Sequence, residues 1–379
     1  MLVEDKRCTD EYFKKTSAPE WVDEWRENVK IFLEHHRVIG RCIAIVTSGG
    51  TIVPLERNTV RFLDNFSTGS RGAASVEYLL GLGYAVIYLY RPGSVAPLAR
   101  HLQKATCSHL DVDFMNYMDV SEQQILLLVN DSSAQKKVEE AVKTMHSIRG
   151  SNTLLALPFT SVHDYFFLLR MVATCVAPWK ERALFVLAAA VSDYYIPQQD
   201  LVIHKLQSRA GPLELKLEQV PKMLGVLRHD WAPQSFVVSF KLETDWKILR
   251  EKAQQAISKY SMHVVVANEL HSRFDNVLLI TDKDERFITR PQEEADIENC
   301  LMTAVARMHY QYIASQDVSV PDDIGYSASH FNLWKKQLPV SVQKVWTVII
   351  DHKEEILGVL AGGLLSVMLN VLQNHLRRS

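Results

Sequence analysis

The stretch Arg61-Phe62-Leu63-Asp64-Asn65-Phe66-Ser67-Thr68-Gly69-Ser70-Arg71-Gly72 narrows the choice of fold more than any other part of this chain. It follows a predicted strand, Cys42 to Val46, that runs out in Thr47-Ser48-Gly49-Gly50-Thr51. It precedes an Ala-rich helical pattern, Ala73 to Leu82. Small residues therefore occur both where a strand ends and where a helix begins. Such a place presents unpaired backbone N–H groups to an anion. Arg61, Arg71 and Asn65 add two cations and an amide, a combination that suits a phosphorylated ligand also held by a polar side chain.

The next apolar run, Ala85-Val86-Ile87-Tyr88-Leu89-Tyr90, has the continuous hydrophobicity of a strand buried on both faces. Strand, helix and buried strand in that order predict a parallel βαβ unit. Its first loop is long for such a unit. Strands are predicted again at 153–157, Ala183 to Ala189, Phe236 to Phe240, Val264 to Val266 and Val277 to Thr281, with helices near 162–175, 245–259 and 292–314. The alternation predicts an α/β fold, a doubly wound and mostly parallel Rossmann-like sheet.

Residues 1–38 read as an N-terminal helical segment, with Trp21, Trp25, Val29, Phe32 and Leu33 close to one stripe of a helix over 18–38. The main domain is predicted over 39–316. Residues 100–150, polar and with a helical pattern near 121–145, read as an insertion. One region breaks the alternation: Val202 to Gln207 and Leu213 to Leu217 flank Ser208-Arg209-Ala210-Gly211-Pro212, which predicts a β-hairpin flap that carries Lys205.

With 379 residues the chain has ample length for a large core, and its 47% hydrophobic and 23% charged residues are ordinary for a globular protein. A formal net charge of −2 provides no global basic field, which argues against nucleic acid as partner. Five scattered cysteines without a C-x-x-C pair argue for reduced thiols in a cytoplasmic protein. Met1 to Thr16 is charged and lacks the apolar core of a secretory signal. No His or Cys cluster has the spacing of a protein-held zinc site, so no metal ligand is expected from the chain, although Mg²⁺ can arrive with phosphates.

Three further strand ends carry candidate groups. Ala188-Ala189-Ala190-Val191-Ser192-Asp193 closes a buried strand with small residues, against which a ligand can lie, and then a carboxylate. Asp193 reads equally as an acceptor for a ligand hydroxyl and as a helix N-cap. In Ser239-Phe240-Lys241-Leu242-Glu243-Thr244-Asp245, Asp245 suits a helix cap, while Phe240 reads as core or as a stacking partner for a nucleobase. Asn268 ends Val264-Val265-Val266-Ala267, polar where a ligand crevice is expected.

With these motifs in hand, the chain resembles the eukaryotic, monofunctional phosphopantothenate–cysteine ligases. The matching blocks are TSGGT at 47–51, VPLE at 53–56, VRFLDNFSTGSRGAAS at 60–75, LAAAVSDYY at 187–195, HKLQS at 204–208, WAP at 231–233, VSFKLETD at 238–245 and VVVAN at 264–268. The resemblance runs from about residue 20 to 316. It implies ligation of 4′-phosphopantothenate and cysteine through an acyl-nucleotidylate in coenzyme A biosynthesis, with ATP, or CTP, and Mg²⁺. By the same resemblance, Asn65 contacts substrate and handles the acyl intermediate, and Lys205 covers the reaction centre from a mobile flap. Ala189, Ala190 and Asp193 contact the pantothenate. Gly49, Ser67, Gly69, Gly72, Phe240 and Asn268 contact the nucleotide. Arg61 reaches the substrate of a neighbouring subunit, which implies a homodimer. Thr68 stands where the family usually has a serine, and residues 100–150 match poorly.

The competing reading is an NADP-dependent short-chain-type oxidoreductase, with Arg91 placed to meet a 2′-phosphate. Against it, the first turn lacks a compact G-x-G-x-x-G, and no lysine stands four residues after Tyr194 or Tyr195. Beyond a polar linker, 317–345, the tail 346–379 contains an uncharged run, Ile356 to Leu372, near the ~17-residue lower limit for a membrane span. Gly358, Gly362, Ser366 and Asn370 form a small or polar stripe on it, as in helices that pair within lipid. The expectation is a hydrophobic C-terminal helix that tethers a cytoplasmic catalytic domain to an intracellular membrane.

Overall fold

The computed structural model describes residues 2–106, 116–121, 124–129, 131–207 and 213–316, all within one compact unit, Met1–Ser319. The order is α1 (Leu2–Lys15), α2 (Val22–Ile39), β1 (Ile43–Ser48), β2 (Ile52–Pro54), β3 (Phe62–Asp64), α3 (Ser70–Gly81), β4 (Ala85–Tyr90) and α4 (Ala99–Thr106). Then come β5 (Met118–Ser121), β6 (Gln124–Leu127), α5 (Ser132–Ser151), β7 (Leu154–Pro158), α6 (Val162–Val176), β8 (Ala183–Leu187), β9 (Tyr194–Tyr195) and β10 (Glu218–Gln219). The rest is α7 (Met223–Val226), β11 (Phe236–Glu243), α8 (Trp246–Tyr260), β12 (Val264–Glu269), β13 (Asn276–Ile280), β14 (Glu285–Thr289) and α9 (Glu298–Gln316).

The main sheet has eight strands in the order β14-β13-β12-β11-β8-β1-β4-β7. The six strands from β12 to β7 are parallel, and β13 and β14 add an antiparallel edge. From β1 the chain goes to β4 and β7 on one side, then returns to β8, β11 and β12 on the other. The strand order therefore reverses between β1 and β8, where doubly wound sheets open a crevice at their carboxyl ends.

Alternation along each strand divides the core. On one face Ile43, Ile45, Ile87, Phe185, Val237 and Val265 pack with α2, α6 and α8. On the other, Ala44, Val46, Val86, Val186, Val238 and Val266 pack with α3 and α9. Both faces are covered, which is why β1 and β4 read as unbroken apolar runs.

Several expectations need correction. The residues between β1 and α3 are not plain loop: β2 and β3 pair as a short antiparallel ladder, Ile52↔Asp64 to Pro54↔Phe62. The start of the stretch near 121–145 read as helical lies instead in the β5–β6 ladder, and the helix begins only at Ser132 behind an Asp131 cap. The predicted hairpin strands do not form: among the described residues of 202–207 and 213–217 no strand is present. The antiparallel pairing lies at the base of this excursion, Tyr195↔Glu218 and Tyr194↔Gln219. Alternation marked the right segment, but two residues of pairing close it.

The N-terminal segment contributes α1, whose Tyr12 is buried in the core, hydrogen-bonds through its hydroxyl with His163 Nδ1, and meets Tyr195 edge to face at 5.4 Å. Helix α1 thus braces the strand at the base of the excursion. Among the described residues no helix is long and apolar enough to cross a membrane. The linker 317–345 and the tail 346–379 lie outside the described residues.

Candidate active site

The carboxyl end of β1 organises the site. Gly49 adopts φ 88°, open to glycine without strain, and turns the chain out of the sheet. Its carbonyl accepts the Ala190 N–H at 2.9 Å, and the Ala190 carbonyl accepts the Thr51 N–H at 3.0 Å. Thr47 Oγ1 accepts Ala189 N–H at 3.1 Å and Thr51 Oγ1 accepts Ser192 N–H at 3.0 Å. The segment 188–192 therefore hangs on the β1 loop by four hydrogen bonds. On its other side that loop holds Asn65, whose N–H donates to the Thr51 carbonyl at 3.0 Å. Gly49, Asn65, Ala189 and Ala190 come together at the crevice. The Asn65 side chain is half-buried and makes no hydrogen bond among the described residues.

Helix α3 starts directly behind Ser48. Gly69, at φ 78°, is its N-cap, and the Gly69 carbonyl accepts from Ser48 Oγ at 3.0 Å. A side chain on Gly72 would stand 2.4 Å from Ser48 Cβ, so only glycine allows this close approach of helix to strand. No side chain caps the helix and no acidic residue occupies its first turn. An uncapped N-terminus leaves N–H donors and the positive dipole end available to an anion. Ser67 stands at the entrance, its Oγ accepting the Gly69 N–H at 3.3 Å.

On the far side of the crevice, Phe240 is half-buried against the α3–α9 core, with the Arg71 guanidinium 5.9 Å from its ring centroid. The core reading of Phe240 therefore holds without excluding a free edge. Asn268 is buried, and its Nδ2 donates to the carbonyls of Lys241 and Val266, each at 3.2 Å. Its Oδ1 has no hydrogen-bond partner among the described residues. A buried acceptor left open at a strand's carboxyl end fits a ligand donor, because leaving it unmet costs stability.

Asp193 is 78% exposed, with Lys222 Nζ at 3.7 Å. No helix starts there, so the cap reading falls; β9 follows instead. Asp245, by contrast, caps α8, accepting from Lys247 N–H at 2.9 Å and Ile248 N–H at 3.0 Å. Lys205 is exposed on the excursion between β9 and β10.

Arg61 is engaged within its own chain, donating through Nη1 to Glu56 Oε1 at 2.9 Å and to the Leu206 carbonyl at 3.1 Å. Glu56 is fully buried. Desolvation alone would raise its pKa. Hydrogen bonds from Arg61 N–H, Leu206 N–H and the Arg61 guanidinium outweigh this and hold it below the usual range.

The partners of Arg71, a second cation and a cleft escaped the sequence reading. Arg71 is mostly buried and ion-paired to Glu298 at 2.7 Å, and donates to the Arg273 carbonyl at 2.5 Å. Burial works against both charges, lowering the Arg71 pKa and raising that of Glu298. These partners lie 227 residues apart, and nothing local marks them. Lys241 is the second cation. Beside α3 a cleft of about 570 Å³ is lined by Ser70, Arg71, Arg100, Phe274, Arg290 and Glu298 among others. Of the two cations read from the 61–72 stretch, Arg71 lines it and Arg61 does not. Arg91, which an NADP site would need, is committed to Asp64 and lies 3.4 Å from the Gly50 carbonyl. Among the described residues no group of three His, Cys, Asp or Glu side chains could hold a metal ion.

A doubly wound sheet with an uncapped helix N-terminus and a small-residue strand end at its switch point is the architecture of an α/β enzyme whose crevice can receive an anion. A family model described as the DNA/pantothenate metabolism flavoprotein C-terminal domain matches residues 148–316. Phosphopantothenate–cysteine ligase 2 of Oryza sativa subsp. japonica is 44% identical over 278 residues, 73% of this chain and 83% of its own. The Homo sapiens phosphopantothenate–cysteine ligase is 38% identical over 297 residues, 77% of this chain and 94% of its own. A Cab2 mutant solved in complex with phosphopantothenate-cysteine superposes with a TM-score of 0.74 at 34% identity, covering 82% of this chain and all of its own. The chain belongs to the phosphopantothenate–cysteine ligase family and is an enzyme of the ligase class.

Proposed function

We propose that this chain joins 4′-phosphopantothenate to cysteine at the expense of a nucleoside triphosphate, ATP or CTP, accompanied by Mg²⁺. The observation that carries the reading is the double use of the Gly49–Thr51 backbone. One side holds Ala190 of the small-residue strand end, and the other holds Asn65. A substrate lying along Ala189 and Ala190 would have the Asn65 amide beside it, with the α3 N-terminus near enough to receive phosphates.

In this reading the substrate carboxylate attacks the α-phosphorus. A carboxylate–phosphorus bond forms, the bond to the β-phosphate bridge breaks, and pyrophosphate leaves. The amine of cysteine then attacks the acyl carbon, loses a proton, and the nucleoside monophosphate departs. The chain's share is positioning two anions and balancing their charge. Asn65 both donates and accepts, and so can orient the acyl group. Asp193 accepts from a substrate hydroxyl. Phe240 and the open Oδ1 of Asn268 receive the nucleotide's base end, and Gly49, Ser67, Gly69 and Gly72 line its phosphates. Lys205, on the excursion, closes over the reacting centre, and Arg61 acts across a homodimer. Mg²⁺ rides with the nucleotide phosphates.

The test is an assay with 4′-phosphopantothenate, cysteine, Mg²⁺ and either ATP or CTP. Stoichiometric monophosphate, pyrophosphate and phosphopantothenoylcysteine are expected, and the better nucleotide settles the preference. Absence of product with both nucleotides ends the proposal. The tail tether is tested separately, by asking whether the full chain, but not one ending at Lys344, resists carbonate extraction from membranes.

A further inference from the structure

The two cations assigned to the reaction so far are poorly placed to hold substrate in a resting protomer. Lys205 is exposed, and Arg61 is committed to Glu56 and the Leu206 carbonyl. Lys241 is different. Strand β11 last pairs with β8 at Ser239↔Leu187, whereas its pairing with β12 continues to Glu243↔Glu269. Lys241 therefore sits where β11 has lost its neighbour on the β8 side, at the mouth of the crevice between them.

Strand alternation decides which way it points. Phe236, Val238 and Phe240 pack into the α3–α9 core, so Lys241 belongs to the opposite face, with Val237. Ala189, Val191, Tyr195 and Leu206 pack on that same face. Phe240 and Lys241 thus divide the crevice, the ring turned to the nucleotide side and the ammonium to the side of Asp193.

The charges that act on Lys241 are Asp193, Lys222, Lys252 and Glu243. Both carboxylates have other partners: Asp193 has Lys222 at 3.7 Å and Glu243 has Lys252 at 2.6 Å. Among the described residues no carboxylate lies within ion-pair distance of Lys241. Burial lowers its pKa, with Asp193 opposing. A half-buried ammonium with no counter-ion is costly unless a ligand supplies one. The open Oδ1 of Asn268, whose amide holds the Lys241 carbonyl, marks the same strand ends as built for a bound molecule.

We infer that Lys241, with Lys222 beside it, is an anion-binding residue of the ligase site and takes a phosphate oxygen of the 4′-phosphopantothenate rather than of the nucleotide. The inference rests on the ligase reading above. A compact ammonium suits the point charge of a phosphate monoester, and a charge-assisted contact of this kind is worth roughly tenfold to a hundredfold in affinity.

Calorimetric titration of 4′-phosphopantothenate and of unphosphorylated pantothenate tests it on the full chain, with Lys241→Met and Lys241→Arg compared. Wild type should prefer the phosphorylated compound, Lys241→Met should lose at least tenfold of that preference, and Lys241→Arg should recover part of it. The KM for nucleotide should stay unchanged in both variants. Full preference retained in Lys241→Met overturns the inference. So does a variant whose nucleotide KM rises while its preference for the phosphorylated compound is intact. Because this comparison reads binding, it remains decisive even if turnover assays defeat the ligase reading. Matching melting temperatures with loss of preference, and partial recovery in the arginine variant, separate charge from packing.

Discussion

The main-chain oxygen of Asn65 fills the space that a side chain on Gly50 would need: a methyl group there would stand 1.7 Å from it. The two residues are also tied through Thr51, so Asn65 can reach the crevice only because residue 50 is bare. Gly50→Ala should displace Asn65 without unfolding the sheet. Activity is expected to fall roughly 10²-fold, the scale of a positioning loss, with far-UV circular dichroism unchanged. A fully active Gly50→Ala would show that the register of Asn65 is irrelevant to turnover.

Asn65→Ala probes the side chain itself. Its amide has no hydrogen-bond partner among the described residues, so its removal should leave stability within about 0.5 kcal/mol. Pyrophosphate exchange should persist while product formation drops, because the acyl intermediate would form but not be oriented for the amine. Equal loss in both half-reactions would remove Asn65 from the second step.

Glu56 anchors both Arg61 and the backbone at Leu206, next to Lys205. Glu56→Ala is expected to speed proteolytic cleavage within 202–217 and to strand the Arg61 guanidinium. Nucleotide plus substrate should slow that cleavage in wild type if Lys205 works from a closing segment. Cleavage rates indifferent to both the substitution and the ligands would argue that the segment is fixed by other contacts.

The subunit-crossing role of Arg61 can be read in mixed oligomers. Co-refolding Arg61→Ala with Asp193→Ala chains should restore part of the activity, since one composite site per mixed dimer would be intact. Zero recovery, with subunit exchange verified, would assign Arg61 to its own protomer.

Acid stability should be governed at the other end of the sheet. His309 accepts from the Tyr84 hydroxyl and donates to the Glu181 carbonyl, both at 2.8 Å, and burial lowers its pKa to about 4. Burial, aided by Arg228, lowers that of His263 to about 3. Both stay neutral in the folded chain while the unfolded chain takes up protons near pH 6.5. Their stabilisation is thus full above that pH and is lost as pH falls towards 4. At pH 5 each should cost about 2 kcal/mol. Melting temperatures from pH 7 to 5 should fall less steeply in His309→Gln than in wild type, even though the variant starts lower. An identical slope would contradict the assignment.

Much of this was legible in the chain because buried parallel strands are continuous apolar runs, and the predicted strands of the main sheet are present with ends shifted by a few residues. The glycines were legible for the same local reason: Gly49 and Gly69 need positive φ, and Gly72 needs contact with Ser48. What escaped depends on distance or on weak pairing. Phe62, Leu63 and Asp64 form a three-residue strand with every side chain exposed, which has no periodicity to find. The flap's alternation was real but unpaired. Arg71 meets Glu298, and Lys241 gains its meaning from Asp193, only after folding. Tyr12 lies in a charged stretch with no apolar stripe to mark it, and is a core residue against His163.

The strand order also has a consequence for how the chain is made. Strand β1 pairs with β4 early, but its other partner is β8, in the register Ile43↔Ala183. Strands β8 and β7 enclose the β1–β4 pair from both sides. A ribosome midway through the message has therefore released Gly49, Gly69, Gly72 and Asn65 with one flank of their sheet still untranslated. That long sequence separation makes closure slow and leaves apolar edges uncovered in the meantime. Nascent chains halted before residue 183 should engage chaperones, and those extended past Glu269 should release them.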